Sequence, residues 1–357
     1  MLKLFSSKTQ KMVGLDFSAS SVKLLELGKQ GDTYCIQSYA VEPLPPEAID
    51  ATTIKDVEAV GKAIAAVVAR SRTTVKLAAI VIHNAAVITK TIQMSASLKE
   101  QELATQISFE ADRYIPYPLQ EINLDFQVLG PNPKNASLLD VLLVGTKTEN
   151  VDARIEALAL GGLTAKVVDV EAYAVERAFG LIIKDLPKES KNETVAIIDI
   201  GAVATTLCVL CDGKSVYVRE QNFGGQQLTE EIQRRYNLSA AEAMMAQRGE
   251  NELEGYQSEI LNPFKFVAVQ QVSRALQFFF SSGSFAEIDT IVLAGRCATM
   301  PGLANLIQEQ LGIPTIIANP ISEMIVSPTV DVARLQEDAC GLLLCCGLAM
   351  RSFIDGY

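Results

Sequence analysis

The chain has 357 residues, 49% apolar and 20% charged, which is too apolar for a disordered protein and long enough for two or three domains. Its 31 Lys and Arg stand against 42 Asp and Glu, a formal charge of −11 that argues against nucleic acid as the main partner. One histidine, His83, is too few for the usual zinc sites, and of seven scattered cysteines Cys340, Cys345 and Cys346 lie in an apolar run and read as small buried hydrophobes. The C-x-x-C pair Cys208 and Cys211 lies in a strand pattern without a second pair, so packing is expected rather than metal or redox use.

The opening stretch, Met1 to Ser18, has no apolar run of signal-peptide length. The apolar segment Ala339–Met350 is about 18 Å long as a helix, short of a bilayer core of roughly 30 Å. A cytosolic protein without direct membrane insertion is therefore expected, with the final residues forming a buried helix. In chain order, Val13–Phe17, Val22–Leu27 and Tyr34–Val41 read as strands and Asp56–Arg70 as a helix. The strand Leu77–His83 follows. A second unit runs from the strand Ala86–Ile92 through a helix, Ser97–Arg113, with Leu98, Leu103 and Ile107 inward, to the loop Tyr114-Ile-Pro-Tyr-Pro118. Strands Ile122–Val128 and Leu138–Thr146, a helix Glu149–Leu160 with Val151, Ile155 and Leu158 on one face, and the strand Ala165–Val170 complete βαββαβ over residues 86–170.

After a charged linker at Lys184–Glu193 come strands over Val195–Leu210 and Ser215–Arg219, then Gly224-Gly225 before a helix. Ser239 and Glu242 form a capping box. A long helix, Pro263–Ser281, turns Val267, Val272, Leu276 and Phe279 inward, followed by a strand at Ile288–Leu293 and a helix Gly302–Gln310 closed by Gly312.

An internal repeat organises the candidate site. Gly14-Leu-Asp16-Phe-Ser-Ala-Ser-Ser and Ile198-Asp199-Ile-Gly-Ala-Val-Ala-Thr-Thr overlay with Asp on Asp, 183 residues apart. In the first, successive amides and the hydroxyls of Ser18, Ser20 and Ser21 suit phosphate oxygens, and Asp16 suits a hydrated Mg²⁺. Lys23 faces either this cleft or solvent. In the second, Asp199 repeats the acidic position, Gly201 permits close approach, and Thr205 and Thr206 add hydroxyls. Gly224-Gly225 aims a helix N-terminus at a ligand or is an ordinary junction. Gly295 offers bare backbone to a base or ribose, with Arg296 placed to stack. P-loop and dinucleotide fingerprints are absent. His83 ends an apolar strand with no nucleophile turn nearby.

These blocks resemble the motifs of the actin-like ATPase superfamily, which includes actin, chaperones, sugar kinases and the division protein FtsA. Asp16–Lys23 and Asp199–Thr206 match its two phosphate motifs, Gly224-Gly225 its first connecting motif, Leu293–Leu303 its adenosine motif and Ala339–Ala349 its second connecting motif. VGLDFSASSVKLLEL, RYIPYPLQEI, IIDIGAVATTL and ACGLLLCCGLAMR are similar to the PilM family of type IV pilus assembly. The resemblance implies an α/β, two-lobed actin-like fold of duplicated ribonuclease-H-like domains with the inserted subdomain of FtsA and PilM. The first lobe would take residues 1–85, 171–190 and 335–357, the insert 86–170, and the second lobe 191–334 with a helical part at about 226–285.

It further implies ATP and Mg²⁺ in the cleft, with Asp16 and Asp199 holding the metal through waters. The partner would be the cytoplasmic N-terminal peptide of the inner-membrane protein PilN, near Leu103, Ile107, Tyr114, Tyr117 and Pro118, with recruitment to the membrane through that protein. Other cytoplasmic motor components would be linked in turn. Ala202-Val203 and Ala294-Gly295-Arg296 depart from the superfamily pattern, and no acid or glutamine is identified to position a water, so slow or absent hydrolysis is expected. The alternatives are an FtsA-like filament former and a sugar-kinase-like phosphotransferase.

Overall fold

The computed structural model describes residues 10–50, 52–188, 191, 193–247, 252–283 and 287–354. Strands β1 (Val13–Phe17), β2 (Ser21–Gln30) and β3 (Thr33–Pro43) form an antiparallel meander. Period-two alternation sends Val13, Leu15 and Phe17 to one face of β1, which leaves Gly14 and Asp16 on the other. A small ribbon, β4 (Ile49–Asp50) and β5 (Thr53–Ile54), leads into α1 (Val57–Ser71), whose N-cap Asp56 accepts the amide of Ala59. Val60, Ile64 and Val67 of α1 cover the first face of β1, and β6 (Leu77–Ile82) then runs parallel to β1.

The next four elements are β7 (Val87–Ser95), α2 (Glu100–Ala111), β8 (Ile122–Asn132) and β9 (Asn135–Lys147). They make a separate sheet in the order β7-β9-β8, with α2 packed on Ile92, Met94, Val141 and Leu143. The expected element order βαββαβ over 86–170 is present, but the separate unit is corrected to its first four elements, βαββ. Helix α3 (Thr148–Leu160) and β10 (Thr164–Val170) return to the first sheet, where β10 lies parallel to β6. The apolar partners decide this: Ala157 and Leu158 pack with Ile64 of α1, and Gly61 and Gly161 let the two helices touch. On α3 the inward stripe is Arg154, Ala157 and Leu158, and Ile155 is 42% exposed. Arg154 is drawn in because three carbonyls accept from it, those of Val81, Asn150 and Thr52, at 3.1, 2.9 and 2.8 Å. Burial lowers its pKa to about 10.

Helix α4 (Glu171–Phe179) leads to a second sheet, with β11 (Thr194–Ile200), β12 (Thr205–Cys211) and β13 (Lys214–Gln221) as its meander. Helices α5 (Gly225–Tyr236), α6 (Ala240–Gln247) and α7 (Asn262–Ser281) follow, a π-helical turn at Tyr256–Leu261 preceding α7. The Ser239–Glu242 capping box forms as expected. On α7, Val272, Leu276 and Phe279 are buried, whereas Val267 points out and Ala268 and Val269 take the inward positions. Next come β14 (Thr290–Ala294), α8 (Leu303–Leu311) and β15 (Thr315–Ile317), the last two strands parallel to β11.

The sheet orders β3-β2-β1-β6-β10 and β13-β12-β11-β14-β15 show the same topology in both halves: a meander, then two parallel strands beyond its first strand. The chain re-enters the first sheet at β16 (Ile325–Val326), beside β3 and ahead of the expected residue 335. It ends in α9 (Val332–Asp338) and α10 (Leu343–Ala349).

Helices α4 and α10 lie in the core between the two sheets, and every residue of α10 is buried. Two glycines set the spacing. A Cβ on Gly14 would lie 2.4 Å from the Cys345 carbonyl, and one on Gly347 would lie 1.9 Å from that of Ala174. Gly347→Ala should cost about 1–3 kcal/mol or more in urea denaturation, since backbone rather than a side-chain tip must yield. Gly180→Ala, whose Cβ would meet only the Arg177 carbonyl at 3.8 Å, should be near neutral.

Candidate functional site

Strands β1, β6 and β10 are parallel, so their carboxyl ends deliver Asp16, His83 and Glu171 to one rim of the first sheet. In the second sheet, β11 and β14 likewise deliver Asp199 and Gly295. Carboxyl ends of parallel strands are where open α/β sheets bind ligands.

The two hairpins present their aspartates in the same register. Asp16 pairs across with Lys23, and Asp199 with Thr206, each aspartate one residue before its strand ends. Lys23 faces inward, with Nζ 3.0 Å from Asp16 Oδ2. Burial alone would lower the pKa of Lys23, but Asp16 and Asp199 together hold it above the ordinary lysine value. Burial pushes Asp199 up to about 6, with Lys23 opposing and Glu171 and Asp16 adding to the rise. The aspartates from the two halves thus share one electrostatic site. Asp16 Oδ1 is buried with no hydrogen-bond partner, an acceptor set aside for something.

Around these charges the predicted residues divide. At the first turn, Ser18 closes the hairpin by donating its amide to the Ser21 carbonyl, and its hydroxyl leans on the same oxygen at 3.4 Å. Ser20 is exposed at the tip, and among the described residues nothing ties the amides of Ala19 and Ser20. At the second turn, the Gly201 amide bonds the Ala204 carbonyl, and the Thr205 hydroxyl is committed to the Phe223 carbonyl at 2.7 Å. Thr205 is therefore a structural clamp, and Thr206 is the half-buried hydroxyl beside Asp199.

Gly224 and Gly225 serve close packing. Cβ atoms there would lie 2.5 Å from the Ala202 carbonyl and 2.8 Å from Cys297 Sγ. The first amides of α5, from Gly225 and Gln226, bond the carbonyls of Gly201 and Ala202, so two donors expected for a ligand are already used. Gly295 (φ +81°) approaches Asp199 closely; a Cβ would lie 2.3 Å from its Oδ1. The Arg296 side chain, 69% exposed, turns to Asp338 at 3.8 Å. Asp338 in turn accepts from the Tyr39 hydroxyl of the first sheet.

Of the residues expected at a peptide site, Leu103 and Ile107 are corrected to core residues, 4% and 1% exposed, because they fasten α2 to its sheet. Tyr114, Tyr117 and Pro118 are exposed, with Lys147 Nζ 5.2 Å from the Tyr117 ring centre. Phe109, 78% exposed on α2, was missed: it lies two residues from Ile107, on the side of the helix away from the sheet, where an apolar pattern marks no role. Glu171 was missed too. Its signal was a carboxylate opening a helix directly after an apolar strand, and it is buried at the rim beside His83. All seven cysteines are free, six of them buried and Cys211 half-buried, and burial pushes the Cys208 thiol up to about 12.

Residues 14–353 match the family described as Type IV pilus assembly protein PilM. The chain belongs to the PilM family. A solved PilM-PilN type IV pilus biogenesis complex is 27% identical, covers 96% of this chain and 99% of its own, and superposes with a TM-score of 0.78. The ethanolamine utilization protein EutJ from Carboxydothermus hydrogenoformans, 14% identical with 95% and 89% coverage and a TM-score of 0.56, shares the fold. The fold is therefore the one shared by PilM and by EutJ. No helix among the described residues is long and apolar enough to cross a membrane.

The folded state holds the Asp199 proton more tightly than the unfolded chain does. That contribution favours folding below about pH 4 and is lost as pH rises through about 6. Asp199→Asn should raise the Tm at pH 7.5 by about 2–4 °C and leave it unchanged at pH 4 in thermal melts.

Proposed function

We propose that this PilM family member is a cytoplasmic adaptor of type IV pilus assembly that binds ATP with Mg²⁺ and captures the N-terminal peptide of PilN. The partner reading is carried by the family match over residues 14–353 and by the likeness to a PilM-PilN complex at 27% identity. The two topologically equal sheets are read as duplicated ribonuclease-H-like lobes, and the β7-β9-β8 unit as the inserted subdomain. Recruitment to the inner membrane would come through PilN, and other cytoplasmic motor components would dock in turn.

The nucleotide reading rests on the Asp16, Lys23 and Asp199 cluster. The described residues contain no group of three or more His, Cys, Asp or Glu arranged as a metal cage. That suits Mg²⁺, which keeps waters and needs only one or two carboxylates beside phosphate oxygens. Asp16 through its orphaned Oδ1, and Asp199, would hold the hydrated ion. Lys23 and the amides of Ala19 and Ser20 would take phosphate oxygens, and the backbone at Gly295 would meet the nucleoside. Bound, Mg-ATP supplies a charged bridge between the sheets. Turnover is a minor part of this reading, with the nucleotide acting as a conformational ligand.

Calorimetry should find Mg-ATP binding that Asp16→Ala weakens about tenfold or more at constant fold. A steady-state turnover above about 1 s⁻¹, abolished by one cleft substitution, would instead mark an enzyme. On α2 and its following loop, Phe109→Ala and Tyr117→Ala should each weaken PilN-peptide binding about tenfold without changing Mg-ATP affinity. Unchanged peptide affinity in both variants would move the peptide site elsewhere.

A further inference from the structure

The chain passes between the first sheet and the three-stranded unit twice, at His83–Ala86 and at Lys147–Thr148. The first crossing is tied to the head of α4. Glu171 is 8% exposed, and its Oε2 accepts the Asn84 amide at 3.2 Å and Asn84 Nδ2 at 3.0 Å, with His83 Nδ1 at 3.4 Å. Asn84 Oδ1 reciprocates by accepting the Ala172 amide at 3.1 Å. The second crossing is tied to the first, since Thr146 Oγ1 donates to the Ala86 carbonyl at 2.8 Å. Residues 84–86 also lie against β13, the edge strand of the second sheet. First sheet, second sheet and three-stranded unit therefore meet at one point.

We propose that Asn84 is a positioning residue that couples the cleft to the three-stranded unit: it locks the unit's entry segment to Glu171 at the rim, so that closure of the second sheet on the first resets the unit and the affinity of its peptide face. This rests on the nucleotide and peptide reading above and adds the joint through which the two sites communicate. A side chain bonded to both Glu171 and the Ala172 amide moves with α4, not with β7. The same residues touch β13, so a shift of the second sheet reaches them directly. Burial and the neighbouring Glu171 raise the pKa of Glu220 on β13, and His83 opposes that rise, which places these three groups within reach of one another's fields. Glu171 also raises the pKa of Asp199, so the joint senses charge in the cleft.

The test is calorimetry of full-length protein with a synthetic peptide of the N-terminal cytoplasmic segment of the cognate PilN, with and without saturating Mg-ATP. Wild-type peptide affinity should change about fivefold or more on adding nucleotide, and in Asn84→Ala the change should fall below about twofold, while each ligand alone binds as in wild type. Hydrogen exchange should show nucleotide-dependent protection over residues 87–147 in wild type only. Thr146→Val, which leaves Glu171 and Asn84 in place, should keep the coupling. If Asn84→Ala does not fold, Asn84→Asp keeps an acceptor for the Ala172 amide but replaces the Nδ2 donor with a carboxylate oxygen facing Glu171, and it should likewise reduce the coupling. Both ligands binding wild type without affecting each other, or undiminished coupling in a folded Asn84 variant, would overturn the joint. Failure of wild type to bind either ligand would overturn the underlying reading.

Discussion

The distance between the two sheets is the constraint on which the rest depends. Every charged group at the rim hangs from the end of a strand, so the gap between strand ends decides whether those groups act together. That gap is set by α4 and α10, stacked between the sheets with glycine at their tightest contacts, Gly347 on the Ala174 carbonyl and Gly14 on that of Cys345. A methyl group at either would wedge the halves apart. The apolar, small-residue character of Ala339–Ala349 thus reflects the need for a thin helix between two strand layers more than for a greasy one.

Spacing of this kind concentrates charge. Asp199 feels Lys23, Glu171, Asp16 and His83, while Glu220 feels Glu171 and His83. Carboxylates outnumber bases at the rim, so the field there favours a cation, and a polyphosphate would enter best with its own divalent ion. Lys23 accommodates both aspartates by holding its proton firmly. His83 is likewise held above the ordinary histidine value: burial opposes its charge, but Glu171 and then Asp16 outweigh that.

Much of this was legible in the chain itself. Apolar periodicity located nearly all the larger elements, and the Asp16 and Asp199 repeat carried over to a shared strand register. What the sequence withheld were partner choices made in three dimensions. Nothing local distinguishes a strand that closes its own unit from one, β10, that returns to an older sheet. Arg154 took a core position because three carbonyls waited for it, which no hydropathy pattern can encode. Conversely, periodicity already turned Leu103 and Ile107 inward, and their burial against the sheet is what removes them from an accessible peptide face and leaves Phe109 outside.

The two aspartate hairpins are held differently. The second is already fastened to the head of α5 through the Gly201 and Ala202 carbonyls, and to Phe223 ahead of it through the Thr205 hydroxyl, so little conformational entropy would remain to be lost there were an anion to bind. The first must give up or share the Lys23 and Asp16 ion pair before either group can serve a newcomer. On the proposed nucleotide reading, a response to occupancy would begin on the first half of the molecule, with the second half acting as the anvil.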